Sequence, residues 1–384
     1  MIKTTIVVTH LLGSGHLARA LVLGKAFTKA GHKTTVISGG MPVPHLDTGT
    51  VEFVQLPPLR SDGTNFTTLL DETGAVADAN THGLRRTALK EALAQSRPEV
   101  LITELYPFGR RVLKEEFREL LKNAQKLQPV PPLICASIRD ILAPPSKPSK
   151  VQEAAHVLNT YYDCVLVHSD ETLTPLQASW PVTDDLKSKL HYTGYVSPLP
   201  PEAYPKNEGM GEILVSAGGG NVGTSIYRAA LTAAGLDPLR RNWRLLVGGS
   251  GAQERCNMLA KHAPTNAIVE TARPDFRNML NHAEASVSMC GYNTALDILQ
   301  TDVPAVFIPF DAGNEVEQTL RASALSHLDG IEVLAEHEMT AELLLDRISL
   351  ATSAPKRDAS HFRFDGSKNT VRHVETLLHN RMRR

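Results

Sequence analysis

The sequence predicts an α/β protein made of two Rossmann-like, doubly wound domains facing across a cleft. Three observations predict it. Short β-branched runs alternate with longer stretches of helical period along the chain, the βαβ alternation of a parallel sheet covered by helices. Several of those runs are apolar almost without interruption, as strands buried on both faces must be. The alternation breaks once, at VSPLPPEAYPKNEGMG (196–211), where four prolines and two glycines precede a new strand; an interdomain linker reads this way. A chain of 384 residues is long for one core and suits two. Ligands in such sheets sit beyond the carboxyl ends of the strands, so the loops of both domains can line one cleft.

In order, the strands of the first half are TIVVT, KTTVIS, VEFVQL, VLIT, LICAS and CVLVH. Those of the second half are EILVSA, RLLVGG, NAIVE, ASVSM and PAVFIP. Helical period lies between them, as in LARALVLGKAFTKAGH and VLKEEFRELLKNAQKL. Two polar, turn-rich segments, PPLRSDGTNFTTLLDETGAVADANTHGLRR and ILAPPSKPSKVQ, read as long loops, which are commonly functional. There is no internal repeat or low-complexity tract.

Hydrophobic residues make up 42% and charged residues 21% of the chain, the balance expected of a soluble globular protein. With a net charge of −1, no overall field favours nucleic acid, and none is expected as a partner. Cys135, Cys164, Cys256 and Cys290 form no C-x-x-C pair and stand at no zinc spacing to histidine. That pattern points to a reducing compartment rather than a disulfide scaffold. The opening MIKTTIVVTH is too short an apolar run for a signal peptide, and no stretch approaches the roughly 20 apolar residues of a membrane span. A cytoplasmic location is expected. The stretch GRRVLKEEFRELLKNAQKL and the tail HNRMRR are basic. They offer either a surface for anionic lipids at the inner membrane face or an ordinary solvated face, since Glu115, Glu116 and Glu119 interrupt the first. Monomer and homodimer are both compatible with the sequence.

The first candidate site is GSGHLA, where a strand hands His16 to the start of a helix. A P-loop would need a Gly-Lys-Ser/Thr ending that is absent. A dinucleotide fingerprint is matched by Gly13, Gly15 and Ala18, but the second strand ends TVISGG without the acid that would hold a ribose. The third reading is a catalytic histidine. Glycines let another molecule approach the backbone, and the positive end of the helix keeps His16 a neutral base. Taken alone, the stretch also fits a histidine that simply starts a helix.

The most informative stretch is SMCGYNTALDILQTDVPAVFIPFDAGNEVEQTLRA. Cys290-Gly291-Tyr292-Asn293-Thr294 follows the strand ASVSM and opens a helix, whose first N–H groups make a phosphate site. Asp297 falls about one turn further along the same side. A carboxylate there can accept from both hydroxyls of a ribose, at about 1.5–3 kcal/mol per charge-assisted bond. After the next strand, Glu317 and Gln318 can bind sugar hydroxyls. Plainer readings exist: Asp297 as an acid placed for the helix dipole, Glu317 and Gln318 as a solvated helix start.

In order and spacing these residues resemble the donor-binding signature of nucleotide-sugar glycosyltransferases with the GT-B fold. In the plant UDP-glycosyltransferase family the signature runs His-Cys-Gly-Trp-Asn-Ser-x-x-Glu with a later Asp-Gln pair. Here it runs Met289-Cys290-Gly291-Tyr292-Asn293-Thr294-Ala295-Leu296-Asp297, then Glu317-Gln318. The bacterial N-acetylglucosaminyltransferase family of peptidoglycan synthesis is similar, and it too opens with a glycine-rich loop ending in Gly-His.

The resemblance implies an acceptor-binding domain over residues 1–200, a nucleotide-sugar donor-binding domain over 201–366, and a C-terminal helix, 367–384, that can pack back on the first domain. It implies roles residue by residue. Gly291, Tyr292, Asn293 and Thr294 resemble the diphosphate-binding helix start, Asp297 the ribose acid, and Glu317 and Gln318 the donor-sugar contacts. Ser216, Gly218, Gly219, Gly220 and Asn221 resemble the first glycine loop of the donor domain, and Arg273 stands where the base is held. His16 resembles the catalytic base and Glu104, after VLIT, the acid that orients it, although a solvent-facing strand-end carboxylate is also compatible there. Gly13, Ser14 and Gly15, with Arg60, Asp62 and Asn65 of the long loop, fall on the acceptor side. Three departures stand out: Met289 replaces the plant histidine, Asp297 is one methylene shorter than the usual glutamate, and Glu104 replaces an aspartate.

The implied activity is inverting, metal-independent transfer of a hexose or N-acetylhexosamine from a UDP-sugar to a small-molecule or lipid-linked acceptor. The UDP-sugar is a co-substrate and no cofactor is expected. No compact D-x-D motif follows a first-domain strand, and Asp140 and Asp184-Asp185 read as surface acids, so no metal site is expected. An epimerase of the same fold and a non-catalytic nucleotide-sugar-binding protein remain alternatives.

Overall fold

The structure is a computed structural model. It describes all residues apart from 45, 64, 202–205, 219–221, 250, 312–315 and 384, and apart from the side chains of 65, 66, 361 and 382. The chain divides into two units, Met1–Pro198 with Arg363–Arg384, and Leu199–Phe362.

In the first unit the chain runs β1 (Lys3–Val8), α1 (Gly15–Lys29), β2 (Lys33–Gly40), β3 (Glu52–Asp62), β4 (Asn65–Leu70), α2 (Ala79–Ser96), β5 (Val100–Glu104), α3 (Lys114–Ala124), β6 (Leu133–Arg139), α4 (Pro148–Tyr161), β7 (Cys164–His168), α5 (Asp184–Lys187) and β8 (Leu190–Tyr192). They form one sheet in the order β4-β3-β2-β1-β5-β6-β7-β8. All neighbours are parallel except the β3–β4 pair. Strands β5, β6 and β7 are buried on both faces almost throughout, which is why they read as unbroken apolar runs. Helices cover both faces: Leu89, Phe117 and Val157 pack on one, Leu17, Leu21 and Phe27 on the other.

Both segments expected to be long loops are corrected here: ILAPPSKPSKVQ enters α4 at Pro148, and the longer PPLRSDGTNFTTLLDETGAVADANTHGLRR is structured at both ends. Its first part continues β3 and returns as β4. Leu59 and Ser61 point inward while Arg60 and Asp62 are exposed, a period of two that Pro57-Pro58 obscures in the sequence. Arg60 pairs with Leu70, and Asp62 with the backbone of Asn65, whose side chain lies outside the described residues. Its last part, from Ala79, belongs to α2, which starts where the Asp78 carboxylate accepts from the Thr81 N–H at 2.7 Å.

The second unit runs β9 (Glu212–Ser216), α6 (Thr224–Leu236), β10 (Asn242–Val247), α7 (Ala252–Ala260), β11 (Ala267–Thr271), α8 (Phe276–Leu280), β12 (Ala285–Ser288), α9 (Tyr292–Leu299), β13 (Ala305–Phe307), α10 (Glu317–Leu325), β14 (Ile331–Val333) and α11 (Ala341–Ser353). Its sheet, all parallel, has the order β11-β10-β9-β12-β13-β14. Trp243, Val215 and Ile348 lie in its core. The chain then returns to the first unit as α12 (Gly366–Met382).

Each sheet reverses its strand order once. In the first unit β1 lies between β2 and β5; in the second β9 lies between β10 and β12. Loops leaving the two central strands at such a point run to opposite sides and open a crevice at the strand ends. The loop after β1 carries Gly13 and Ser14 and leads into α1 at Gly15-His16, and β5 ends on Glu104. The chain after β9 carries the second glycine run, and after β12 it carries Met289–Gly291 and then the first turn of α9, Tyr292–Thr294.

Candidate active site

In the first unit the chain leaves β1 through Gly13, whose φ of +64° is favoured only by glycine. Ser14 precedes α1 without a side-chain cap, so His16 sits in the first turn. Its ring is 12% exposed and its Nδ1 lies 3.0 Å from Glu104 Oε1. Glu104 is 2% exposed, which removes the solvent-facing alternative. The residue after it, Leu105, ends β5 in the left-handed region at φ +66° and donates its N–H to the Ser137 carbonyl at 2.8 Å.

Arg19, one turn on from His16, donates through Nη2 to Glu104 Oε1 and lies 3.2 Å from His16 Nδ1. Burial alone would raise Glu104, but the Arg19 guanidinium and the His16 contact hold its carboxyl well below the usual range. Burial pushes His16 down to about 3, helped by Arg110 and opposed by Glu104. An ionised carboxylate only accepts; with the Arg19 Nη2 hydrogen directed at Glu104 Oε1 rather than at the ring, the shorter His16 contact, 3.0 Å to Oε1 against 3.2 Å to Arg19, puts the hydrogen on Nδ1 and leaves the lone pair on Nε2. The result is a neutral imidazole with its acceptor nitrogen turned away from the carboxylate, and a buried negative charge ready to compensate an imidazolium.

Asp140 is 2% exposed, so its expected place on the surface is corrected. It follows β6 directly, where the parallel sheet is still covered. Asp184 and Asp185 open α5 in the turn capped by Thr183. Arg60 and Asp62 stand on the exposed face of β3.

In the second unit Ser216 ends β9, 8% exposed, and Gly218 follows at φ +72°. Gly219, Gly220 and Asn221 lie outside the described residues. Gly223 precedes α6 at φ +89°, and a Cβ there would collide with Ala217. Gly291 is the N-cap of α9; Tyr292, Asn293 and Thr294 form its first turn, and the Ala295 N–H closes it on the Gly291 carbonyl at 2.9 Å. Helix geometry gives the first N–H groups no partner within the helix. Met289, 5% exposed, joins the core; no side chain from that position stands in for the plant histidine.

Two arginines that sequence reasoning missed complete this half. Arg321 of α10 is 2% exposed, donates to the Cys290 carbonyl at 3.0 Å and lies over the Tyr292 ring at 5.8 Å. It therefore braces the turn that opens α9 and adds positive charge behind it. Arg277 of α8 donates through Nε to Asp297 Oδ1 at 2.6 Å, and through Nη2 to Gln300 at 2.6 Å and to the Leu199 carbonyl at 3.1 Å. Burial raises Asp297 to about 6, with Arg277 pulling the other way.

Glu317 opens α10, and Gln318 Oε1 accepts from the Phe310 N–H at 3.2 Å. Arg273 is held by Asp275 at 2.8 Å and Glu208 at 2.5 Å. The sequence signals were weak but present: Arg19 stands three residues after His16, and Arg321 four after Glu317, one turn in each case.

Two α/β units, each with a glycine-broken loop at the switch point of a parallel sheet, define the GT-B fold of the nucleotide-sugar glycosyltransferases. Within it, residues 213–373 match the glycosyltransferase family 28 C-terminal domain, a span that takes in Ser216, Gly291–Asp297 and Glu317-Gln318. Solved structures with this fold include MurG of Acinetobacter baumannii (TM-score 0.61, 14% identity, 97% of this chain and 99% of that one). A Polygonum tinctorium UDP-glucosyltransferase that glucosylates indoxyl is similar (TM-score 0.61, 15% identity, 98% of each chain). So is a Listeria monocytogenes protein assigned as a UDP-N-acetylglucosamine 2-epimerase (TM-score 0.60, 10% identity, 99% of this chain and 98% of that one).

Two curated relatives are UDP-N-acetylglucosamine–N-acetylmuramyl-(pentapeptide) pyrophosphoryl-undecaprenol N-acetylglucosamine transferases. The one from Brucella anthropi is 27% identical over 143 residues, 36% of this chain and 38% of the relative. The one from Hydrogenovibrio crunogenus is 34% identical over 74 residues, 19% of this chain and 21% of the relative. The chain thus matches less than half the length of these relatives.

Proposed function

We propose that the protein is an inverting, metal-independent glycosyltransferase that moves a hexose or N-acetylhexosamine from a UDP-sugar to a hydroxyl or amine of an acceptor. The match of residues 213–373 to the family 28 C-terminal domain, which contains the Gly291–Thr294 helix start and Asp297, carries this reading. The buried His16–Glu104 pair supports it from the other unit.

The second unit binds the donor: the α9 start takes the diphosphate, Asp297 the ribose, and Glu317 and Gln318 the sugar. His16 Nε2 takes the acceptor's proton as the acceptor oxygen or nitrogen attacks C1 of the sugar, and Glu104 steadies the imidazolium. The bond from C1 to the diphosphate breaks with inversion. Charge gathering on the leaving UDP is met by the α9 N–H groups and by Arg321 behind them. The UDP-sugar is a co-substrate and no cofactor takes part. The curated relatives use a lipid-linked acceptor by name, which makes a polyprenyl diphosphate sugar the first acceptor class to try, with the protein cytoplasmic and peripheral to the inner membrane face. Among the described residues no helix is long and apolar enough to cross a membrane.

The test is UDP release from UDP-N-acetylglucosamine and UDP-glucose, with and without lipid-linked and small-molecule acceptors, and with EDTA. Release that needs acceptor and survives EDTA is expected. An altered sugar without net UDP would make the protein an epimerase, a reading the Listeria structure keeps in view; binding without either product would make it a binding protein. Loss of activity in EDTA, restored by added Mg²⁺, would overturn the metal-free mechanism. His16→Ala should abolish turnover and leave UDP-sugar affinity within about twofold, as expected for a group used only in the transition state.

A further inference from the structure

A row of polar side chains continues from Glu104 across the ends of the neighbouring strands. Ser137 of β6 donates from Oγ to Glu104 Oε2 at 2.7 Å. His168, the last residue of β7, places Nε2 2.9 Å from the same hydroxyl. His168 Nδ1 lies 2.9 Å from Thr193 Oγ1, just after β8. Ser137, His168 and Thr193 are each 0% exposed, so each unmade bond would carry its full desolvation cost.

Counting hydrogens sets the direction of every bond. Glu104, ionised beside Arg19, has none to give, so the single Ser137 O–H must point at it. Ser137 can then only accept from His168, which puts the ring hydrogen on Nε2. Neutral His168 offers its Nδ1 lone pair to the Thr193 O–H. Thr193 alone does not decide the matter, because its hydroxyl also lies 3.0 Å from the Gly194 carbonyl and 3.3 Å from that of Val167 and fits either ring form. The charge on Glu104 decides it. Burial, together with Arg19 and against Glu104, the charged groups that bear on this ring, keeps His168 neutral.

We propose that His168 is a positioning residue for the His16–Glu104 pair: as its Nε2–H tautomer it locks the Ser137 hydroxyl onto Glu104 Oε2, which leaves Oε1 aimed at His16 Nδ1. This rests on the reading of His16 as the base. Three uncharged donors in line spread the carboxylate's charge into the sheet without adding a second ion. The inward oxygen is satisfied by Ser137, and the outward one accepts from Arg19 and from the histidine that acts.

The test uses the full chain labelled with ¹⁵N-histidine and ring-nitrogen NMR between pH 6 and 8, with signals assigned by substitution. In the wild type, His168 should appear as the Nε2–H tautomer without titrating, and His16 as Nδ1–H. In His168→Leu, Ser137 loses its donor, and His16 should lose the pure Nδ1–H pattern and become a tautomer mixture. In His168→Gln, whose amide nitrogen can stand where Nε2 stood, the pattern should return. Ser137→Ala carries the same test with a smaller cut should His168→Leu not fold. An Nδ1–H form of His168 in the wild type, or an unchanged His16 pattern in folded His168→Leu and Ser137→Ala chains, overturns the proposal. These signals need no substrate, so a failed UDP-release assay would end the glycosyltransferase reading and leave this result standing by itself.

Discussion

Buried titratable side chains govern how each unit answers pH. His16 and His168 are both lowered to about 3, chiefly by burial, against 6.5 in the unfolded chain. Their neutral forms stabilise the fold fully above about pH 6.5, and that contribution is lost as pH falls toward 3, at up to about 1.4 kcal/mol per pH unit for each ring. Glu104, also lowered, adds a loss of the same sign below its ordinary 4.5. The denaturation midpoint of the first unit should therefore drop from pH 6.5 to 4, with His10, His191 and His373, also lowered chiefly by burial, adding to the loss, and His168→Gln should make the drop between pH 6.5 and 5 measurably shallower. Asp297 works in the opposite sense. Raised to about 6 by burial, with Arg277 resisting, it gives up its charge just below neutrality. UDP-N-acetylglucosamine binding, followed by calorimetry, should weaken as pH falls through about 6. Asp297→Ala should lower the affinity roughly ten- to hundredfold and flatten that dependence, whereas Arg277→Ala should shift it upward. Equal affinity in Asp297→Ala and wild type would reject the ribose role.

At the scale of the elements, the helix start Cys290–Thr294 depends on α10. Arg321→Lys would keep the charge but lose the Nη1 bond to the Cys290 carbonyl and the guanidinium placed over the Tyr292 ring. UDP-sugar affinity should fall about tenfold, the worth of one charge-assisted bond, with no change in the His16 ring signals. Strands such as β5, β6 and β7 were legible in the sequence because both their faces are buried. Strand β4 was not, because Pro57-Pro58 and the Asp62-Gly63 turn look like loop chemistry while the alternation of Leu59 and Ser61 is short. Strands β8 and β14, three residues each at sheet edges, bury too little to leave a pattern. The site divides along similar lines. His16, Glu104 and the Gly291–Asp297 stretch stand out because glycines and strand ends frame them. Ser137 and His168 do not, because the first sits inside the apolar run LICASI and the second ends CVLVH, and each looks like a core residue; only the three-dimensional neighbourhood turns them into a hydrogen-bonded row.

At the scale of the molecule, the first unit is discontinuous. Its last helix, α12, lies against α1 and buries Val371, Val374 and Leu378 in one core with Leu17, Leu21 and Phe27. Three such side chains contribute about 5–9 kcal/mol, a large share of an ordinary domain's stability. Asn369 adds a hydrogen bond to the Thr193 carbonyl at 3.0 Å, so the helix also touches the far end of the polar row. A chain ended after residue 362 should lose the calorimetric transition of the first unit and keep that of the second. Two unchanged transitions would show that α12 is dispensable. The order in which a ribosome delivers this protein gives the feature a further meaning. The second unit is contiguous and can close while α12 is still in the exit tunnel. The first must wait, its sheet built but one flank open, until α12 has also been made, so His16 reaches its finished setting only after every residue of the second unit has been translated.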